Sequence, residues 1–401
     1  MNRYRWVILA AGTFAQATFS AITVGLPALA PVIRTHYHLS LARTGIALGA
    51  ASFGMLATLL AWGLLADRIG ERAVMATGLT GAGFALVCIP LTHGYGALLA
   101  LLALTGALGA SINAASGRAV IGWFRDDQRG LALGIRQTAV PIGGATAAAV
   151  LPLLAPHDNP SHAFLALGAG CLAGAAVAAA LVREPPVQDG PVLVDVGGPF
   201  RDLRNWLLAG GSGLFVVAQI AATTYATLFL HQHRGLSTHS AALVLAAMNV
   251  LAIGARIGSG RWSDHRRARI APLRILGLWI TAGTTAVALL VDAPLWAIVP
   301  ALVVAGVFSL SWNGVAFTAA AEGAGLARSG AALGFQQTVL GVILAVAVPA
   351  FAALVAATSW RTAFAVSAAC PLVGVLVLLR VREATAGVRR RGTSAIPPAA
   401  R

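Results

Sequence analysis

Apolar runs of about 20 residues, the length a helix needs to cross a bilayer, recur along this whole chain. Charged, proline and glycine clusters punctuate them. They give twelve windows at 6–30, 43–65, 73–91, 96–120, 130–153, 162–182, 204–230, 240–261, 272–291, 294–317, 330–354 and 361–381. Only 10% of the residues are charged and 58% are hydrophobic, against about 25% charged in soluble domains. Hydrocarbon offers the backbone no partners, so each segment must bond its own peptide groups as a helix. The expected fold is an all-α membrane protein with twelve transmembrane helices. The opening "MNRYRWVILAAGTFAQATFSAITVGLPALAP" has an apolar stretch longer than the roughly 7–15 residues of a signal peptide, and reads as the first span.

All 28 basic residues are arginine, and the net charge is +15. Their positions argue against nucleic acid as the partner, because they gather in alternate loops, as the positive-inside rule describes. With the N-terminus inside, 22 fall in cytoplasmic segments, and Arg34, Arg43, Arg234 and Arg361 fall outside. Arg136 and Arg256 lie within helices. The reading is a multi-pass protein of the inner (plasma) membrane with both termini cytoplasmic. Cys88, Cys171 and Cys370 each stand alone in an apolar run, with no metal spacing or disulfide framework. Neither a metal nor a cofactor is expected.

The chain repeats itself. Asp67 in "GLLADRIGER" matches Asp264 in "GSGRWSDHRRAR", 197 residues on. "SIN" at 111–113 matches "SWN" at 311–313, and "ALGIRQT" at 132–138 matches "ALGFQQT" at 332–338. Gln16 and Ser20 pair with Gln219 and Thr223. These offsets divide the chain into two pseudo-symmetric six-helix halves, 1–182 and 204–382, joined by a cytoplasmic linker at 183–203. A basic tail, 383–401, follows. Four small-residue pairs, Gly45–Gly49, Gly130–Gly134, Gly254–Gly258 and Gly330–Gly334, predict close helix contacts.

"GLLADRIGER" and its degenerate copy resemble the loop signature of the major facilitator superfamily. Helix count, central linker and orientation agree with it over essentially the whole chain. The resemblance implies a transporter whose helices one, four, seven and ten surround a central cavity, with two, five, eight and eleven in its walls. It further implies that Asp67 faces the start of helix eleven across the halves, and Asp264 the start of helix five. With Arg68, Arg72 and Arg266 these would form a cytoplasmic gate that latches the outward-open state. The arginine that many proton-coupled drug exporters of the superfamily carry in helix four would fall near Thr105, where it is absent.

Arg136 lies about six residues into its helix, roughly 9 Å deep. Arg256 lies eight residues before Asp264, roughly 12 Å deep. An arginine at a helix centre costs about 2.5–3.5 kcal/mol on insertion scales. Every carboxylate falls in a loop or at a helix end, so the sequence offers neither arginine an intramembrane counterion, and the missing partner is read as the substrate. Asn249 shares a helix face with Arg256, two turns away. Thr13, Gln16, Ser20 and Thr23 form a polar stripe on the first helix that lining a cavity would explain. Gln336 keeps the polarity of the Arg136 position without its charge. Asn113 and Asn313 read equally as interhelical hydrogen bonders and as substrate contacts, Tyr225 as an anion donor or an interface residue, and Arg118 as a cavity residue or an interfacial anchor.

Guanidinium forks suit oxyanions. The function expected is therefore secondary active or facilitative movement of small, monocarboxylate-like organic anions by alternating access. A coupling proton or counter-anion is an open partner beside membrane lipid, and the protein is expected to be a monomer. The alternative is an exporter of hydrophobic drugs or metabolites, which predicts a greasier, more aromatic cavity. No nucleophile–base pair, metal-ligand helix or phosphate loop points to an enzyme.

Overall fold

The structure, a computed structural model, describes residues 3–156, 159–185 and 201–383. Most of the linker, the basic tail from 384 and Asp158 lie outside the described residues. Among those residues all regular structure is helical. Twelve helical stretches are long and apolar enough to cross a membrane: Tyr4–His36, Leu41–Ile69, Glu71–Leu91, Tyr95–Trp123, Arg129–Leu154, Ser161–Leu181, Leu203–His233, His239–His265, Ile270–Leu289, Leu295–Ala324, Leu326–Ala357 and Trp360–Leu378. They are called spans one to twelve below. Twelve passes bring both ends of the described chain to one face.

The spans overrun several of the sequence windows. Span two continues through Asp67 and Arg68 to Ile69, and span ten to Ala324. A charged residue ends an apolar window without ending a helix, because arginine is a good helix former. Backbone chemistry sets the ends instead. Ser40, Ser237 and Ser359 cap the helices of spans two, eight and twelve by accepting from the N–H groups of Arg43, Ser240 and Thr362. Gly70, at φ +86°, makes the tight turn that joins spans two and three.

Several spans are broken inside. Span five divides at Thr138 into Arg129–Gln137 and Ala139–Val150. Span four is interrupted at Ala110 and span ten at Trp312, beside Asn113 and Asn313. Span seven breaks at Leu214 and again near Tyr225, then ends in a π-helical turn, Phe229–His233.

One apolar core joins residues between Ala11 and Val182, and two others lie between Leu208 and Val381. A fourth draws Leu9, Val120, Phe124 and Leu133 together with Phe317, Ala321 and Leu333. It lies where the earlier and later spans meet. Two helix pairs complete that meeting, span two on span eleven and span five on span eight. Glycines set their distance. A Cβ on Gly330 would stand 2.6 Å from the Gly63 carbonyl, one on Gly334 2.6 Å from that of Leu59, and one on Gly134 2.5 Å from that of Arg256. Gly130 and Gly260 oppose each other in the same way. The remaining small-residue pairs do not pack: Gly45, Gly254 and Gly258 have nothing within 4 Å of a built Cβ, and Gly49 meets only its own helix neighbour Phe53. On span eight the close approach has moved to Gly260, the repeat partner of Gly63.

Candidate functional site

Arg136 is 2% exposed and sits in a cradle of neutral oxygens. Its Nε donates to Ser116 Oγ at 2.7 Å and its Nη1 to Gln137 Oε1 at 3.3 Å. Its Nη2 donates to Gln16 Oε1 at 2.9 Å and to the Asn113 carbonyl at 2.7 Å. Spans one, four and five thus converge on one guanidinium. Gln16 is itself fixed, donating through Nε2 to Asn113 Oδ1 at 3.1 Å. Hydrogen bonds to charged groups contribute about 1.5–3 kcal/mol each, so four of them offset the insertion cost of an arginine. They replace its hydration without cancelling its charge.

Arg256, 4% exposed, donates from Nε to the Leu310 carbonyl at 2.9 Å and from Nη1 to the Gln137 carbonyl. Its Nη2 has no partner among the described residues. None of the ion pairs among those residues includes Arg136 or Arg256. Gln137, which sequence reasoning passed over, is the residue both arginines share. The signal was present as the letter beside Arg136, but nothing in the sequence said that its amide and its carbonyl face different arginines.

The two signature aspartates reach across the molecule to helix starts. Asp67 accepts from the N–H groups of Gly330 and Ala331 at 2.9 and 2.7 Å, at the start of span eleven. Asp264 accepts from those of Gly130 and Leu131 at 2.8 and 2.7 Å, at the start of span five. A carboxylate there meets unsatisfied donors and the positive end of the helix dipole. Arg118 belongs with this cluster and apart from Arg136. Its Nε bonds Asp67 Oδ1 at 2.9 Å, and its Nη1 stands 2.5 Å from Glu71 Oε1. The second approach is an ion contact rather than a well-aligned hydrogen bond. Neither sequence reading of Arg118, cavity residue or interfacial anchor, named these partners, which are 51 and 47 residues distant and invisible to local reading.

Beside Asp264 the arginine is Arg269. It bonds Asp264 Oδ1 at 2.6 Å, Ser263 Oγ at 2.9 Å, and Glu322 at 2.9 and 3.0 Å. Burial disfavours its charge, yet the hydrogen bonds and charges of Glu322 and Asp264 prevail and raise its pKa. Glu383 accepts from the N–H groups of Arg269, Ile270 and Ala271 and caps span nine. Glu71, Arg269, Glu322 and Glu383 were not among the sequence candidates. Of the arginines that were, Arg72 donates to the Ala179 carbonyl at 2.7 Å, Arg266 lies exposed over the Trp262 ring, and Arg68 is exposed.

The other candidates are dispersed. Gln336 is buried and donates to Ser212 Oγ at 2.8 Å. Asn249 bonds its own helix at the Leu245 carbonyl, and Asn313 is half-buried. Tyr225 donates to the Val348 carbonyl at 2.7 Å and stacks on Phe351. An apolar cavity of about 410 Å³ lies between spans seven, eleven and twelve, lined by Val217, Val346, Ala347, Phe351, Val366 and Cys370 among others, with no candidate site residue in its wall.

Comparison with known proteins agrees with this architecture. The family profile described as Major Facilitator Superfamily matches residues 9–348. An uncharacterised MFS-type transporter of Mycobacterium tuberculosis is 32% identical over 391 residues, covering 96% of this chain and 87% of that one. A Cupriavidus necator protein named "Probable sulfoacetate transporter" is 26% identical and covers 89% of each chain. Among solved structures, the proton:xylose symporter XylE superposes with a TM-score of 0.76 at 15% identity, covering 95% of this chain and 96% of that one. Family match, twelve spans and fold agree: this chain is a multi-pass membrane transporter of the Major Facilitator Superfamily.

Proposed function

We propose that the protein moves small organic anions, carboxylates or sulfonates, across the membrane by alternating access. One observation carries the reading. Two guanidinium groups are buried near the meeting of the earlier and later spans, and the described residues give them only neutral acceptors. Such a site keeps a net positive field in a medium that screens it weakly. An oxyanion entering it finds an unpartnered Nη2 on Arg256 and, on Arg136, neutral acceptors that a carboxylate, carrying the opposite charge, can displace. The relative named for sulfoacetate is a likeness in the same direction.

In this reading both termini are cytoplasmic, and residues 1–182 and 204–382 rock against each other about the linker. Asp67 and Asp264, with Arg118 and Arg269, hold the cytoplasmic face shut when the opposite face is open. Substrate bound between the arginines draws both units together, and the clasps release as the closed face opens. The residues bearing on substrate are Arg136, Arg256, Gln16 and Asn113.

Counterflow in proteoliposomes tests this. Labelled sulfoacetate is a suited probe because its sulfonate stays ionised and leaks little; a labelled hexuronate and a cationic dye complete the panel. Saturable anion exchange is expected, with Arg136→Gln and Arg256→Gln each reducing it at least about tenfold, the loss of one charge-assisted contact. Uptake of the dye alone, undiminished in both variants, would replace this reading with that of a hydrophobic-compound exporter.

A further inference from the structure

Span five breaks immediately after Gln137, and the residue four positions on is Pro141. Proline has no N–H, so the Gln137 carbonyl lacks its ordinary helical donor. That freed carbonyl takes the Nη1 of Arg256 from span eight. The side chain of the same residue takes the Nη1 of Arg136 through Oε1. Gln137 is buried, and it ties two cations from different parts of the molecule to one point without neutralising either.

Glutamate is the charged alternative at this position. Glutamate has almost the same shape, and its carboxylate would add an opposite full charge to the hydrogen bond that the neutral oxygen makes. It would also supply the internal counterion that the site lacks. We infer that Gln137 is the positioning and charge-selecting residue of the anion site, its neutral amide holding Arg136 and Arg256 together while leaving their charge for the substrate. This deepens the anion reading above and rests on it.

The test uses the full chain in proteoliposomes, with labelled sulfoacetate as probe, and reads the half-saturating concentration and the maximal rate separately. Gln137→Met removes the side-chain acceptor and keeps the carbonyl; it is expected to raise the half-saturating concentration about two- to tenfold, a fraction of the bond's own worth because Gln137 reaches substrate only through Arg136. Gln137→Glu preserves shape and adds charge; a further increase of about tenfold or more is expected, because an internal carboxylate competes with the probe. Maximal rates should change less than either increase. A Gln137→Glu protein no weaker than Gln137→Met overturns the charge-selecting role. A Gln137→Met protein with the native half-saturating concentration overturns the positioning role, and does so even where Gln137→Glu fails to elute as a folded species. Arg136→Gln and Arg256→Gln run beside them separate the two levels. If those variants keep native sulfoacetate exchange, the anion reading itself falls; if they lose it while Gln137→Glu does not, only the present inference falls.

Discussion

Arg118 and Glu71 approach to 2.5 Å, and this ion pair has a counterpart in Arg269 and Glu322 at 2.9 Å with the residue types exchanged. In the first case span four carries the arginine and the start of span three the glutamate. In the second, span ten carries the glutamate and the arginine stands just before span nine. Each arginine also bonds its signature aspartate, Asp67 or Asp264. A trio of charges is therefore built in each half with opposite assignment, Glu322 standing one turn beyond Thr318, the repeat partner of Arg118.

That exchange predicts a rescue. Glu71 is 1% exposed, so Arg118→Glu or Glu71→Arg alone leaves like charges buried together and should destabilise by about 3–5 kcal/mol. The double variant Glu71→Arg/Arg118→Glu restores opposite charges between the two positions, in the sense found beside Asp264, and should recover at least half of the lost Tm. A thermal scan of the four proteins in detergent decides; no recovery in the double variant means the two assignments are not interchangeable.

The glycine contacts predict a contrast between neighbours in sequence space. Gly330→Ala places a Cβ 2.6 Å from the Gly63 carbonyl and 2.7 Å from Asp67 Oδ1, closer than real Cβ atoms come. Spans two and eleven must separate, and counterflow should fall about tenfold or more. Gly254→Ala meets nothing within 4 Å and, by helix propensity alone, should be neutral or slightly stabilising. Equal behaviour of the two variants would contradict this packing.

Gln336→Arg asks what the second copy tolerates. The native amide has one side-chain partner, Ser212 Oγ, where Arg136 has four acceptors. An arginine there should cost about 2.5–3.5 kcal/mol, while Gln336→Leu loses one neutral bond, about 0.5–1.5 kcal/mol. Unfolding free energies in mixed detergent would rank them; a Gln336→Arg protein as stable as native would show hidden acceptors at that position.

On the face opposite the chain ends, Asp292, in the loop between spans nine and ten, bonds His233 at the end of span seven at 3.0 Å and Arg361 at the start of span twelve at 3.0 Å. These hydrogen bonds, His233 first, hold its carboxyl below the ordinary aspartate value. A depressed pKa stabilises the fold above the unfolded value, and that contribution disappears as pH falls through the folded one. The Tm of native protein should therefore exceed that of Asp292→Asn at pH 6, by a small margin because the group is exposed, and the difference should close below about pH 4. A difference that persists in acid would assign the effect to shape.

Twelve spans and an aspartate at the end of span two were legible because hydrophobic length and a local signature suffice to show them. The internal breaks were not. Span five looks continuous in its apolar pattern, and only the absent N–H of Pro141 marks where a carbonyl comes free. The partners of Arg118 were hidden for a different reason. The sequence offered it as a cavity residue or an interfacial anchor, and Asp67 and Glu71 reach it from two other helices. Arg136 and Arg256 stood out because fixed charge is costly in oil, but the oxygens receiving them come from distant positions such as Gln16 and Leu310.

Both signature aspartates end on main-chain donors, at Gly330 and Ala331 or Gly130 and Leu131. Ordinary point mutation changes side chains and leaves those donors in place. The donor half of each contact is therefore shielded from drift, except where a glycine must stay small or a proline would delete the donor, and the aspartate is the half that substitution can remove. The arginine cradles share this only in part, through the carbonyls of Asn113, Leu310 and Gln137, while Ser116, Gln16 and the Gln137 amide are open to substitution.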